Sequence, residues 1–162
     1  MTGEYAPAEA ARPLRGYLTV IGIYTTVVGG LAGLARLTGR RPPARVAASD
    51  VALLGIATHK LSRLLSRDAV TSPLRAPFTR YVEPAGDAEL NERPRGSGPR
   101  HAVGELVSCP FCTDVWVATG LAGGLVFAPR LTRLVAAAAT AVAAADFLHL
   151  GYDAAKRAAA GP

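Results

Sequence analysis

Two cysteines three positions apart are the residues of this chain whose chemistry is easiest to recognise. Cys109 and Cys112 enclose Pro110 and Phe111, and a long apolar segment follows them. Because proline is favoured at the first position of a helix, the pair is predicted at a helix N-terminus. Backbone amides and the helix dipole stabilise a thiolate there. The spacing therefore makes both cysteines candidates for a thiol–disulfide pair.

Two other interpretations of the cysteine pair stay open, and the first is favoured over redox chemistry. In that interpretation both side chains pack as small apolar groups near a membrane interface. In the other they bind a metal, but structural zinc needs four ligands. The three histidines lie far apart in the sequence, as His59, His101 and His149. A metal site would have to be assembled by the fold, and no cofactor is predicted.

A second candidate site is a group of charged residues between positions 63 and 80. Its members could form salt bridges that hold a loop against helix ends. Alternatively, the arginines could bind phosphate or a lipid headgroup. The structural role is favoured for this cluster, which consists of Arg63, Arg67, Asp68, Arg75 and Arg80.

A third candidate is a polar pair inside an alanine-rich apolar segment, Asp146 and His149. Ionisable groups within membrane helices often mark transport or proton-relay sites. A buried charge needs a partner, and Arg63, Lys60 and His59 on an earlier helix are the candidates. A polar contact that fixes helix register is favoured over a role in a small transporter.

Known catalytic fingerprints are missing from the sequence. It contains no Walker loop, GxSxG elbow, HExxH or GxGxxG motif, so no catalytic residues are predicted and an enzymatic role is not favoured. The net charge is +6 and the pI about 9.9. The basic residues flank apolar segments instead of alternating with aromatic ones, which favours lipid headgroups and argues against nucleic acid.

The elements that would position these residues are apolar helices. Hydrophobic residues make up 50% of the chain and charged ones 19%, below the roughly 25% of soluble proteins. The charges also fall in short blocks. These features predict an all-α multi-pass transmembrane bundle of about four helices, at roughly 16–35, 46–66, 107–128 and 134–150.

The first and second predicted helices differ in how well they suit a bilayer. Residues 16–35 carry no charge, and about 20 residues span the roughly 30 Å hydrocarbon core. The second helix carries bases in its second half, so it either spans with those side chains reaching the interface or lies partly in the interface. Spanning is favoured. Small-residue faces for helix packing or homo-oligomer formation are predicted at Gly29-x-x-x-Gly33 and Gly120-x-x-x-Gly124.

Four regions are predicted along the chain. Residues 1–15 form a flexible tail, 16–45 an additional membrane helix with its connector, 46–150 a membrane domain, and 151–162 a C-terminal tail. Within the membrane domain, residues 83–100 are rich in proline, glycine and charge and are predicted as a mobile loop. With the N-terminus inside, roughly ten basic residues lie inside and six outside.

Two segments together resemble the domain-of-unknown-function family numbered 1360. They are the stretch from Lys60 to Phe78 and, after a polar insert longer than in the shorter members, the stretch from Gly104 to Ala118. The resemblance covers roughly 46–150. That family consists of small bacterial membrane proteins and includes a sporulation protein of bacilli. The resemblance implies a membrane location, implies no reaction, and marks as family residues Arg63, Asp68, Pro73, Leu74, Arg75, Glu105, Cys109, Pro110, Cys112 and Trp116.

The expected function is therefore that of a non-enzymatic structural or assembly factor of the bacterial envelope, located in the cell membrane. Its expected partners are the lipid bilayer and further membrane proteins or copies of itself. A membrane thiol-disulfide or metal-binding protein using the cysteine pair, and a small transporter component, remain the alternatives.

Overall fold

The structure, a computed structural model, describes residues 12–160. Most of the predicted N-terminal tail and the last two residues lie outside this part of the chain. The described elements are six helices and two strands, with a 3₁₀ turn over Ala69–Thr71. Their bounds are α1 Leu14–Leu37, α2 Ala48–Ser66, α3 Ser72–Arg75, β1 Thr79–Gly86, β2 Glu89–Pro94, α4 Gly98–Ser108, α5 Pro110–Phe127 and α6 Pro129–Ala159.

Three of the described helices, α1, α5 and α6, are long and apolar enough to cross a membrane. The expected total of about four such helices is not confirmed, because α2 carries Asp50, Lys60 and Arg63 among its apolar residues. The helix expected at 134–150 is longer than predicted and runs from Pro129 to Ala159. The expected C-terminal tail is thus helical through Ala159, since alanine favours helix.

The prediction of an all-α fold is wrong in one region. Strands β1 and β2 form an antiparallel hairpin that pairs Thr79 with Pro94 and Gly86 with Glu89. It replaces most of the loop expected at 83–100, and α4 begins within the same stretch. The composition of this stretch indicated mobility, but one ion pair to α2 and one to α3 hold the hairpin, and no local pattern reveals them.

The long helices alternate in direction. Tyr24 of α1 contacts Thr119 of α5, and Leu31 lies further along beside Gly123, so α1 and α5 are parallel. Helices α2 and α6 are also parallel to each other, and α6 runs opposite to α5 after a tight turn at Ala128. We call the end that holds the β-hairpin the hairpin end, and the end that holds the α1–α2 connector the loop end.

The core of the bundle consists of small side chains. Its buried members are Ala57, Leu121, Ala136 and Ala139, with larger aliphatic residues around them. An added Cβ at Gly124 would lie 2.5 Å from Thr132 Oγ1, so this glycine lets α5 approach α6 closely. By contrast, Cβ atoms built on Gly29 and Gly33 would meet nothing within 4 Å among the described residues.

Helix α4 connects the hairpin to the bundle through two close backbone approaches. A Cβ at Gly104 would lie 2.5 Å from the carbonyl oxygen of Phe78, just before β1. On the other side of α4, a Cβ at Gly16 of α1 would lie 2.6 Å from the carbonyl oxygen of Gly98. Glycine at both positions therefore lets α4 fit between α1 and the hairpin.

Candidate functional site

The centre of the predicted charged cluster is Arg75, whose side chain is only 1% exposed. Its guanidinium donates to both carboxylate oxygens of Glu92, at 2.7 and 3.3 Å. It also donates to Thr71 Oγ1 and to the carbonyl oxygens of Leu65 and Asp68. These five bonds equal the number of donors in a guanidinium, so Arg75 has none left for an external anion.

Two further arginines of the cluster attach α2 to β2. Arg63 Nη2 lies 2.5 and 2.6 Å from the two oxygens of Glu89, and Arg67 donates to Asn91 at 2.9 Å. Arg80 is exposed and forms no ion pair within residues 12–160. We call Arg63, Arg67, Arg75, Glu89, Asn91 and Glu92 the arginine corner.

The three β2 residues of this corner were not predicted from the sequence. They lie between 17 and 26 positions from their arginine partners, in a stretch that was expected to be mobile. Asp68 joins the corner through its backbone carbonyl, as an acceptor for Arg75.

The cysteine pair lies where α4 meets α5. Cys109 is half-buried and directly precedes α5, whereas Cys112 lies within its first turn and is exposed. Both thiols are free, and both line a cavity of about 600 Å³ between α1 and α4. Thr113 Oγ1 donates to the Cys109 carbonyl oxygen at 3.0 Å. The pair is therefore placed at the predicted helix N-terminus, beside a cavity.

The histidines do not converge on the cysteines. Across the part of the chain that is described, no three His, Cys, Asp or Glu side chains come together as a metal site would require. His101 Nε2 lies 3.6 Å from Glu105, while His59 and His149 are on α2 and α6. The ligands of the metal alternative are thus not assembled in this structure.

Glu105 joins α4 to the start of α1. Its carboxylate accepts a hydrogen bond from Tyr17 Oη at 2.5 Å and another from Arg12 at 3.2 Å. Glu105 was indicated in the sequence only as a residue of the family resemblance. Its contacts explain why the first helix, which lies outside that resemblance, docks on α4.

Asp146 pairs with one of its three candidate partners. Lys60 Nζ lies 2.8 Å from Asp146 Oδ2, with the lysine 16% and the aspartate 49% exposed. Arg63 binds Glu89 instead, and His149 is exposed on α6. The structure thus makes Asp146 a contact between α2 and α6.

A cavity between three of the long helices was not predicted from the sequence. It has a volume of about 900 Å³ and lies between α1, α2 and α5. Its wall is apolar along most of its length, with Arg36 and Arg40 at one end and His59 and Asp114 at the other. Asp114 Oδ1 is buried and has no hydrogen-bond partner among the described residues.

Comparison with known protein families defines the class of the protein. Residues 53–152 match a family described as "protein of unknown function (DUF1360)". This match covers more than half of the chain, so the chain belongs to that family. The matched region includes the arginine corner and both cysteines, and it leaves out α1.

One curated relative extends the comparison. The chain is 39% identical over 71 residues to "Sporulation protein YjcA" of Bacillus subtilis (strain 168). The match covers 42% of this chain and 60% of that relative, which is less than two thirds of its length. No solved structure matches the chain.

Proposed function

We propose that this protein is a multi-pass membrane protein of the bacterial envelope with a structural or assembly role. In this proposal α2 is a fourth membrane crossing, beside α1, α5 and α6. One observation carries it: α1 and α5 run in the same direction, although they are separated by a single long helix.

Parallel α1 and α5 require the chain to return between them. Helix α1 ends at the loop end, whereas α5 starts again at the hairpin end. The only long helix in residues 38–109 is α2, and its 19 residues extend about 28 Å. If α1 and α5 both span the bilayer, α2 has the length and the direction to bring the chain back.

The charged residues of α2 are compatible with this crossing because they are paired. Lys60 binds Asp146 and Arg63 binds Glu89, and both lie in the half of α2 nearer the hairpin end. Charged side chains inside membranes are tolerated when they pair with each other or reach the interface. The small buried residues on α2, among them Ala57 and Ser62, allow the close packing typical of membrane helices.

The arginine corner supports a structural role. Its buried guanidinium is fully occupied by partners within the chain, as expected for a group that fixes a shape. The corner attaches the hairpin to the end of α2, which gives the hairpin end a rigid polar cap. Such a cap suits contact with another envelope component.

The topology can be tested by labelling single cysteines in intact cells. In a Cys109→Ala/Cys112→Ala background, one cysteine is introduced at Arg41, Asp87 or Ala158, and cells are treated with a membrane-impermeant maleimide. We expect Asp87→Cys and Ala158→Cys to react from the same side and Arg41→Cys from the opposite side. Permeabilised cells, in which all three must react, are the control.

One labelling result would contradict the proposed crossing of α2. If Arg41→Cys and Asp87→Cys are labelled from the same side, α2 does not cross the membrane. Most lysines and arginines flank the hairpin end, so the positive-inside rule places that end in the cytoplasm. Arg41→Cys is therefore expected to be the variant labelled from outside.

A second candidate function rests on the cysteine pair. Both thiols are free and border one cavity, so a membrane thiol-disulfide role is compatible with their position. Alkylation of each single-cysteine variant, Cys109→Ala and Cys112→Ala, at neutral pH tests it against a model thiol. A rate above that of the model thiol supports this role, and a slower rate eliminates it.

A further inference from the structure

The cavity between α1, α2 and α5 forms an elongated apolar groove. Helix α1 makes its contacts with α4 and α5, whereas α2 packs on α5 and α6, so α1 and α2 stand apart on either side of it. We call it the α1–α2 groove; its walls include Val28, Leu31, Leu54, Ala118, Ala122 and Val126. Its volume of about 900 Å³ is at the upper end of the range for small-molecule sites.

The charged side chains that line the groove lie at its two ends. Arg36, Arg40 and Asp50 lie at the loop end, near Phe127, and His59 and Asp114 lie at the other end. Asp114 and Phe127 are both on α5, and their separation of 13 positions corresponds to about 20 Å. The groove therefore has one cationic end and a long apolar part, which matches an anionic amphiphile.

The positive charge at the loop end is not neutralised within the chain. Arg36 and Arg40 form no ion pair with any residue of the described range 12–160. The carboxylate of Asp50, which also lines this end of the groove, is held by two hydrogen bonds of 2.8 Å from Arg133. Two guanidinium groups thus remain available at the mouth of an apolar groove.

We propose that the α1–α2 groove binds one anionic phospholipid. Its phosphate lies at Arg36 and Arg40, and one of its two acyl chains follows the apolar wall towards Asp114. Basic pockets between membrane helices bind anionic headgroups, and guanidinium groups match the geometry of phosphate. This inference rests on the proposed membrane location of the protein.

A lipid fits the groove better than a second copy of the chain. The loop end carries six arginines and one acid in residues 36–50 and 128–133, listed as Arg36, Arg40, Arg41, Arg45, Arg130, Arg133 and Asp50. Another copy inserted in the same membrane orientation would bring the same positive charges to this end. A phosphate instead supplies the missing negative charge.

The test measures lipid binding to the purified full-length protein in a nonionic detergent by native mass spectrometry. The probes are phosphatidylglycerol and phosphatidylcholine with identical acyl chains. We expect one phosphatidylglycerol per protein, bound in preference to phosphatidylcholine. Arg36→Gln/Arg40→Gln should weaken phosphatidylglycerol binding about 30-fold, because each substitution removes the attraction between one base and the anionic headgroup. The matched control is Arg41→Gln/Arg45→Gln, outside the groove, which should bind as the unchanged protein does.

A second pair of variants tests the groove itself. Gly55 lines the groove and Gly120 does not, and neither has an atom within 4 Å of an added Cβ among the described residues. Gly55→Phe should therefore block the lipid adduct, whereas Gly120→Phe should leave it intact.

Three results would overturn the lipid site: equal binding of the two lipids, equal effects of the two arginine pairs, or a protein dimer that is lost only in Gly55→Phe. None of these would alter the labelling pattern that tests the membrane topology, so the two proposals fail separately.

Discussion

At the scale of single residues, the buried ion pair of Arg75 and Glu92 attaches the hairpin to the helices. Removing two charges from water is unfavourable, and the pair is stable only because further hydrogen bonds satisfy the guanidinium. Thr79 Oγ1 adds a bond of 2.9 Å to Glu92. An arginine with five hydrogen bonds inside the chain holds α2, the short α3 and β2 in one arrangement.

This arrangement predicts unequal effects of single and double substitutions. Arg75→Met should lower the free energy of unfolding by about 3–5 kcal/mol, because it leaves Glu92 buried without its charge partner. Arg75→Met/Glu92→Met should be less destabilised than Arg75→Met alone, since neither charge remains. Thermal unfolding of the purified protein in detergent, followed by circular dichroism, measures both.

The control for this prediction is Arg63→Met, which removes a more exposed arginine of the same corner. The Arg63 side chain is 42% exposed, and pairs near water contribute about 0–1 kcal/mol. If Arg63→Met is as damaging as Arg75→Met, burial is not what makes the Arg75 pair important.

At the scale of elements, the sequence predicted the apolar helices well and the hairpin not at all. Helices α1 and α5 begin and end within a few residues of the positions expected from their uncharged segments. The strands lack alternating apolar residues, and β1 contains Pro84, which normally argues against a strand. Their stability comes from contacts with α2 and α4, and these distant contacts leave no local periodicity.

The sequence predicted one half of the arginine corner, its bases, and not the residues that bind them. The arginine cluster at 63–80 was recognised because several bases lie close together in the chain. Their acidic partners were not recognised, because only the fold brings Glu89 and Glu92 to them. The partner of Asp146 was narrowed to three bases on one helix, and packing of α2 against α6 selects Lys60.

The turn of the hairpin offers a prediction at this scale. Ala88 has a φ of 62°, in the left-handed region that is unfavourable for a residue with a Cβ by roughly 1–2 kcal/mol. Ala88→Gly should therefore raise the melting temperature measured in detergent. Gly loses more backbone entropy on folding, so the net gain is expected to be about 1 kcal/mol or less.

The matched comparison is Ala85→Gly, three positions earlier in β1. Ala85 is not among the residues with positive φ in the described chain, so glycine there only adds backbone freedom to the unfolded state. A lower melting temperature is expected. Equal effects at both positions would show that the turn conformation is not what limits stability.

At the scale of the whole molecule, α1 is the most weakly attached long helix. Helices α2, α5 and α6 share the core of small residues, and two ion pairs join α2 to α6. Helix α1 lies outside this core and outside the family match. It is attached through Glu105 at the hairpin end, through Tyr24 near the middle and through Leu31 beside Gly123, and the α1–α2 groove lies on its α2 side.

Tyr24 is therefore the residue whose loss should loosen α1. Its ring meets the Trp116 ring edge-on at 5.2 Å, and its hydroxyl is 2.8 Å from Thr119 Oγ1. Tyr24→Ala removes an aromatic contact of about 0.5–1.5 kcal/mol and a hydrogen bond of about 1 kcal/mol. Trp116 is the single tryptophan of the chain, so its fluorescence reports on this contact directly.

We expect lipid-phase quenching of Trp116 by brominated phospholipids to increase in Tyr24→Ala, because the side of α5 that α1 covers becomes open to the bilayer. Tyr152→Ala is the control, since Tyr152 is exposed on α6 and lies at the opposite end of the chain from α1. If quenching is unchanged in Tyr24→Ala, other contacts suffice to hold α1 on α5. An increase instead shows that α1 separates from α5 around Trp116, so that the contacts of Tyr24 help to set the width of the α1–α2 groove.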